Sequence, residues 1–494
     1  MQLPFGEWLP DQPDHLNPGA TVATNVYHAQ SSYKPVKGLV AYSGASNVTQ
    51  NAKGAGSFRD NTNTVFTFVG TKDNIYKLTS GTFASVKGSL TISGGDTDYF
   101  TFTQFGQYVV ASNGVNPPMY YLMGTSTNFA TLQSLVTSSG SGTVPAKFKV
   151  SGVIRDFLVT GNIENAKNRV AWSGINDIST WEAGVSSSDT QDLPGSGGQV
   201  VAITSGEVGY VFREDQIIRL DFVGGNVVFR FSVISPNRGA VYGQTVCQDN
   251  RQVFFYASDG FFQINGDQIL PIGAEKVNRF FDGDLNKAYT DRITAAVDPF
   301  NTLAIWLYPS KDNPNTTGVC DKLLIYNYVT QKWSVAKVKA SQIFKQFVVA
   351  NTVELMDIIS ENLEDINISL DTAFWTTGHL YLGAIDENFK AAIFSGKTLE
   401  AELETKEQEI FPGLRANVTG IRPIVDASAN VTIKTRDKLA DTVTTSTSSS
   451  MNDTGINPVR QSGRYFRANV KIPAESIWTN AQGIDLTASQ GGSR

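Results

Sequence analysis

One local pattern recurs along the chain: two runs of alternating apolar and polar residues, rich in Val, Ile, Phe and Tyr, joined by a Gly/Asn/Asp turn. Seven stretches carry it. Val65 to Leu78 (VFTFVGTKDNIYKL), Tyr99 to Gly114 (YFTFTQFGQYVVASNG) and Phe157 to Trp181 come first, then Gly206 to Phe222 and Gln252 to Gly273. Leu303 to Val338 and a fainter Phe374 to Gly396 complete the set. Period-two alternation closed by turn residues reads as strand, turn, strand. The starts fall roughly 35 to 70 residues apart, compatible with the ~40–50 residues of a propeller blade. The expected fold is therefore all-β, a β-propeller of six to eight blades, with seven the favoured number. Trp172, Trp306 and Trp333 are expected to pack between neighbouring sheets.

Composition agrees with many strands and turns. Glycine reaches 44 of 494 residues and aromatics 11%, while charged residues are held to 17%, a mix unlike that of a helical or disordered chain. A net charge of −6 argues against a general nucleic-acid binder, which needs a basic footprint to displace counterions. Cys247 and Cys320 are too few for a disulfide framework and read as small buried apolar residues. The first residues, MQLPFGEWLPDQPDHLNPGA, lack the basic and apolar regions of a signal peptide. No apolar run reaches the ~18 residues of a membrane span, so no membrane association is expected.

Three regions are expected. Residues 1–44 carry several prolines and scattered aromatics but little alternation, and read as an extended N-terminal arm. Such a segment has no core of its own and must bury Phe5 and Trp8 against another surface. That surface is either its own chain or a neighbouring subunit. As an assembly element the arm would be removable without unfolding the subunit. Residues 45–396 read as the propeller, with loops at Ser134 to Lys147 and Asp192 to Gly198 and a helical insertion near 353–366, where Leu355, Ile358, Ile359, Leu363 and Ile366 fall at helical spacing. Residues 397–494 return to strict alternation and read as a C-terminal β-sandwich-like platform domain. Charge is uneven: Asn351 to Phe411 holds thirteen acidic and three basic residues, Pro412 to Arg494 ten basic and six acidic. Such asymmetry suits either two solvated faces or head-to-tail contacts between identical subunits. On the second reading Phe5, Trp8, Arg460, Arg464 and Arg467 are the subunit-interface candidates.

Catalytic constellations are hard to find. The histidines number three, His15, His28 and His379, without partners at ligand spacing for a zinc site or a triad. Asp282, Asp284 and Asn286 alternate as in a calcium loop, but Lys287 replaces the sharp-turn glycine and Ile293 the bidentate glutamate. Arg213, Arg219, Arg230, Arg238 and Arg251 could supply a carboxylate-binding cluster. SGINDISTW (Ser173 to Trp181) resembles the hairpin box of propeller sialidases with a residue missing. Asp177 and Thr180 are better suited to fastening a turn that Trp181 plugs. No catalytic, cofactor-binding or metal-binding residue is assigned, and the chain is expected not to be an enzyme.

Several longer phrases resemble a known family. They are LPFGEWLPDQPDHLNPGATVATNVY, DTQDLPGSGGQVVAI, FVGGNVVFRFSVISPNRGAVYG, FFYASDGFFQINGDQILPIG, IYNYVTQKWS, LDTAFW and FPGLRANVTGIRPIVD. Together they are similar to the tail hub proteins of short-tailed bacteriophages, also called nozzle, tail tubular or head-to-tail stabilisation proteins. The resemblance implies a homohexameric ring in the virion tail, assembled in the host cytoplasm. The ring would sit below the portal-adaptor protein, retain packaged double-stranded DNA and open for ejection. Tail fibre, tailspike or needle proteins would be further partners. Acidic or polar walls suit such a conduit, because basic walls would hold the phosphates. The alternative is a propeller that binds or hydrolyses a host surface polysaccharide.

Overall fold

In the computed structural model the described residues are 1–15, 17–42, 48–225, 227–249, 252–313, 319–348 and 380–491. The helical insertion expected near 353–366, His379 and Arg251 lie outside them. Five separate four-stranded antiparallel sheets follow one another along the chain. Blade 1 comprises Gly54–Arg59, Val65–Gly70, Ile75–Thr79 and Thr82–Ser85, and blade 2 runs from Thr101–Phe105 to Ala130–Thr131. Blade 3 spans Phe148–Ile154 to Asp189–Asp192, blade 4 Val200–Ile203 to Phe229–Ser235, and blade 5 Cys247–Asp249 to Gln268–Pro271. Turns between strands use the conformations the sequence suggests. Gly81 (φ +76°) and Gly266 (φ +63°) sit at hairpin tips in the left-handed region, which costs glycine no Cβ clash.

Blades 6 and 7 share a strand. Lys332–Val348 pairs through its first half with Cys320–Asn327, completing blade 6, which begins at Thr294–Asp298. From Ala340 onward the same strand pairs with Leu380–Asp386 and becomes the inner strand of blade 7. Ala391–Ile393 follows, and the outermost strand is Val40–Ala41, returning from the N-terminal region. Strands from distant parts of the chain thus close the ring.

Apolar clusters lie between successive blades. Phe68 of blade 1 stacks on Phe102 of blade 2, Trp172 of blade 3 meets Phe229 of blade 4 at 5.3 Å, and Phe212 of blade 4 meets Phe255 of blade 5 at 5.1 Å. Phe261 of blade 5 lies 4.8 Å from Trp306 and 5.2 Å from Trp333 of blade 6. Blades 2 and 3 join through Val110, Phe148 and Leu158, blades 6 and 7 through Leu307, Ile325 and Ala384, and blade 7 meets blade 1 through Phe344, Phe347, Val69 and Phe83. These contacts give a seven-bladed β-propeller, with the three tryptophans between sheets as expected. Burying each such aromatic contributes about 1.5–3 kcal/mol. Gly209 marks how closely blades approach, since a Cβ there would fall 2.1 Å from Ile154 Cδ1.

The terminal domain is a two-sheet sandwich, but both chain ends build it. One sheet holds Val26–Ala29, Ser32–Pro35, Ala481–Gln490, Ala416–Val425 and Asn457–Gly463, with Gln2–Pro4 paired to Ala481–Gln490. The other contains Val22–Thr24, Ala401–Glu404, Tyr465–Ile472 and Asn430–Arg436. Thr24 also pairs in parallel with Val335, so this second sheet is continuous with blade 6. The expected arm of residues 1–44 is therefore corrected. Most of it is woven into the sandwich, and Val40–Ala41 belongs to the propeller. Burial supplies the reason: Leu3, Phe5 and Trp8 lie in one core with Trp306, Trp333, Val470 and Ile484, filling the space between blades 5 and 6 and the sandwich.

A second correction concerns Ser134 to Lys147, expected to be a loop. Helix Leu132–Ser139 occupies its first half. Leu132 and Val136, four residues apart, are buried on one face, while Ser138 and Ser139 donate their hydroxyls back to the Leu135 carbonyl. The apolar i,i+4 pair outweighs the turn preference of the serines.

Candidate functional site

The inner strands of all seven blades surround an axial bore of about 470 Å³. Its walls are small, amide or aromatic: Gly56, Thr103, Ser151, Gln248, Gln342 and Phe344 among them. Lys345 is the one charged side chain lining it among the described residues. It faces the water of the bore, but the enclosing protein lowers its pKa by desolvation. Polar stitches hold neighbouring blades in register around the axis. Thr103 Oγ1 lies 2.9 Å from Ser151 Oγ, Asn162 Nδ2 donates to the Val200 carbonyl at 2.7 Å, and Gln248 Nε2 donates to the Ser205 carbonyl at 2.7 Å.

At one end the bore opens into a vestibule of about 440 Å³, built by the loops entering blades 2 to 6. Tyr99, Val201, Gly243 and Gln244 line both spaces. Lys149 places its ammonium 4.2 Å from the centroid of the Tyr99 ring. Gly114 backs its stem, with space for a Cβ only 3.1 Å from the Lys149 Cβ. Desolvation lowers the pKa of Lys149, partly opposed by Asp98 and Asp291. Asp291 is itself compensated, 2.8 Å from Arg292 Nε and 3.7 Å from Lys53 Nζ.

The residues singled out as interface candidates separate into two groups. Phe5 and Trp8 are buried within their own subunit, Trp8 edge-on to Phe280 at 4.9 Å, so neither is available to a neighbour. Arg467 is likewise spent inside the chain, donating to Asp14 at 2.9 Å and lying 3.6 Å from Glu404 and 3.8 Å from Glu407. Arg460 is exposed on Asn457–Gly463, an edge strand, and Arg464 is half-buried in the turn that follows. These two alone retain the accessibility that a subunit contact requires.

Part of the charge asymmetry has an internal explanation. Glu404 and Glu407, from the acidic stretch, are buried against the basic terminal segment: Glu404 accepts from Lys434 at 2.5 Å, and Glu407 pairs in a fork with Arg436. Thr21 and Asn469 also donate to Glu404. At these positions the opposite balances meet within one subunit, which replaces the head-to-tail reading for them.

The other motifs serve structure. Asp284 accepts from Lys322 at 2.8 Å and from the Tyr308 hydroxyl at 2.8 Å, Asp282 pairs with Lys287 at 2.7 Å, and Asn286 caps Ala288 N at 3.1 Å. They do not converge on a shared point. Among the described residues no group of three His, Cys, Asp or Glu side chains is placed to hold a metal. The arginines diverge as well. Arg213 is buried and donates to the carbonyls of Pro194, Gly195 and Gly198, clamping the Asp192 to Gly198 loop. Arg219 and Arg230 pair with Asp221, and Arg238 forms a fork with Asp259. Asp177 fastens its turn as expected, accepting from Ser179 N at 2.8 Å and Thr180 Oγ1 at 2.6 Å, with Trp181 buried behind it. His15 stacks edge-on to Tyr465, and His28 is buried with Nε2 3.0 Å from Lys332 Nζ. Cys247 and Cys320 are free thiols and buried.

Sequence reasoning missed Asp11. Its carboxylate accepts from the backbone of Arg279 at 2.8 Å and Phe280 at 2.7 Å, capping helix Asn278–Asp284 from a distant part of the chain. A helix preceded by Val277 lacks a local cap, and that was the available signal.

No protein-family model and no curated protein matches the chain. Among solved structures it is similar to the extracellular domain of a hybrid two-component system of B. thetaiotaomicron (TM-score 0.41, 10% identity, covering 78% of this chain and 44% of that one). It is also similar to the WD40 domain of Neurospora crassa Pan2 (TM-score 0.38, 8% identity, covering 74% and 96%). The chain thus spans less than half the length of the first. Likenesses this distant carry no functional argument.

Proposed function

We propose that the chain is a non-enzymatic structural component of a short-tailed phage tail, forming a hexameric nozzle or hub below the portal-adaptor complex. The observation that supports it is the meeting of distant segments that carry the family resemblance. LPFGEW, near the N-terminus, and LRANVTGIRPIV, some 400 residues later, flank the same strand, Ala481–Gln490, in the terminal sandwich. These two phrases thus build one module beside the propeller. The bore of a single subunit, about 470 Å³, has the volume of a small-molecule cavity and is no passage for a duplex. In this reading the DNA conduit is the axis of the ring of subunits, and Arg460 and Arg464 face a neighbour. Sedimentation velocity and electron microscopy of the purified chain, alone and with the portal-adaptor protein, test it. A closed ring of six is expected, and a chain that stays monomeric under every condition would sink the proposal.

A further inference from the structure

The vestibule has the properties of a ligand site that the structural role above does not use. We infer that it binds a small hydroxylated monocarboxylate, the chemistry of an acidic sugar, with Lys149 as the carboxylate anchor. Three observations carry this. First, Lys149 is positioned: its stem lies against Gly114 and its ammonium over Tyr99. The ring is held in turn by Gly243, where a Cβ would come within 2.5 Å of the Tyr99 hydroxyl. Second, among the described residues no carboxylate stands within 4.0 Å of the Lys149 ammonium, although the walls partly remove it from water. A cation held over an aromatic face and short of a counter-ion gains most from an incoming anion. Asp98 and Asp291 act on it only from beyond that distance, and Arg292 and Lys53 already compensate Asp291.

Third, beside Lys149 and a second cation, Lys167, the lining offers polar groups that suit hydroxyls. Gln244 and Thr290 line the cavity, and neither side chain has a hydrogen-bond partner among the described residues. Asp98 accepts from Gly95 N through one oxygen at 2.7 Å, which leaves the other for a ligand hydroxyl. The cavity, about 440 Å³, lies in the range of small-molecule sites, where a few placed polar groups set orientation.

Calorimetry or saturation-transfer NMR on the full chain, with glucuronate, glucose and acetate as probes, tests the inference. Glucuronate is expected to saturate with a Kd on the order of 1 mM, with glucose and acetate each about tenfold weaker or more. Lys149→Met should weaken glucuronate about tenfold or more, while Lys149→Arg retains part of the affinity. Should Lys149→Met fail to fold, the double variant Gln244→Ala/Thr290→Val should reduce the preference for glucuronate over acetate. Absence of glucuronate binding at about ten times that Kd, equal binding of all three probes, or a Kd unmoved by these variants would overturn it.

Discussion

A propeller blade and the terminal sandwich use the same alternating strands but assemble them differently. Blades 1 to 5 are each contiguous in sequence, and every strand within them pairs with a near neighbour in the chain. In the sandwich, Gln2–Pro4 pairs with Ala481–Gln490, and Val22–Thr24 with Ala401–Glu404. The blade relies on short loops, whose closure is cheap in entropy, and on apolar faces shared with its neighbours. The sandwich closes loops of hundreds of residues, whose entropic cost grows only slowly with length. It offsets that cost with a shared core and buried ion pairs. The contrast shows where the molecule is vulnerable: a blade depends on local packing, the sandwich on distant segments remaining in place.

Removing residues 1–12 is the most severe way to break that contrast. It takes away an edge strand, Phe5, Trp8 and the Asp11 cap together. Two buried aromatics at about 1.5–3 kcal/mol each and a cap of about 1 kcal/mol exceed much of an ordinary folding margin of ~5–15 kcal/mol. Chemical denaturation should show the sandwich unfolded or melting well before the propeller. An unchanged transition would restore the detachable arm. Glu404→Ala comes next. It strands Lys434 and Arg467 beside a buried site, and breaking a buried pair costs about 3–5 kcal/mol; urea titration reads the loss.

His28 sharpens the comparison through pH. Burial, and then the Lys332 charge, push its pKa down from 6.5 to about 4. Between those values the unfolded chain takes up a proton that the folded chain refuses. Its contribution to stability is therefore intact above pH 6.5 and is lost as pH falls through about 4. Linkage sets that loss at about 3 kcal/mol, and His28→Gln should flatten the pH dependence of the melting temperature across this window. Asp11→Ala alone should cost about 0.5–2 kcal/mol, the value of a helix cap, measurable by urea denaturation. The smallest effect is expected from Arg460→Glu: within about 0.5 kcal/mol on the subunit, as for exposed sites generally. A larger destabilisation would show that this edge strand carries weight within its own fold.

How much was legible follows the same division. Alternation and turn residues marked the central strands of blades 1 to 5 but not flanking ones such as Gly54–Arg59 and Phe148–Ile154, and Trp172, Trp306 and Trp333 fell between sheets because bulky aromatics on strand faces need a neighbour to cover them. The turn at Asp177 was legible too, since an Asx side chain bonds the backbone close by. Of the interface candidates, Arg460 and Arg464 remained accessible, whereas Phe5, Trp8 and Arg467 were already taken by partners far along the chain. The vestibule was not legible, because loops from five blades contribute to it and no short motif joins them.

By itself the sequence determined the strand pattern, the turn positions and the faces that aromatic residues cover, all set by interactions a few residues long. Only the tertiary structure decided that Val40–Ala41 closes blade 7, that one strand serves blades 6 and 7, and that Glu404 and Glu407 find their countercharges inside the subunit. The physical reason is that a period of two reports which face a residue takes but carries no information about which strand lies beside it. The pairing partner is selected by the packing of the whole core.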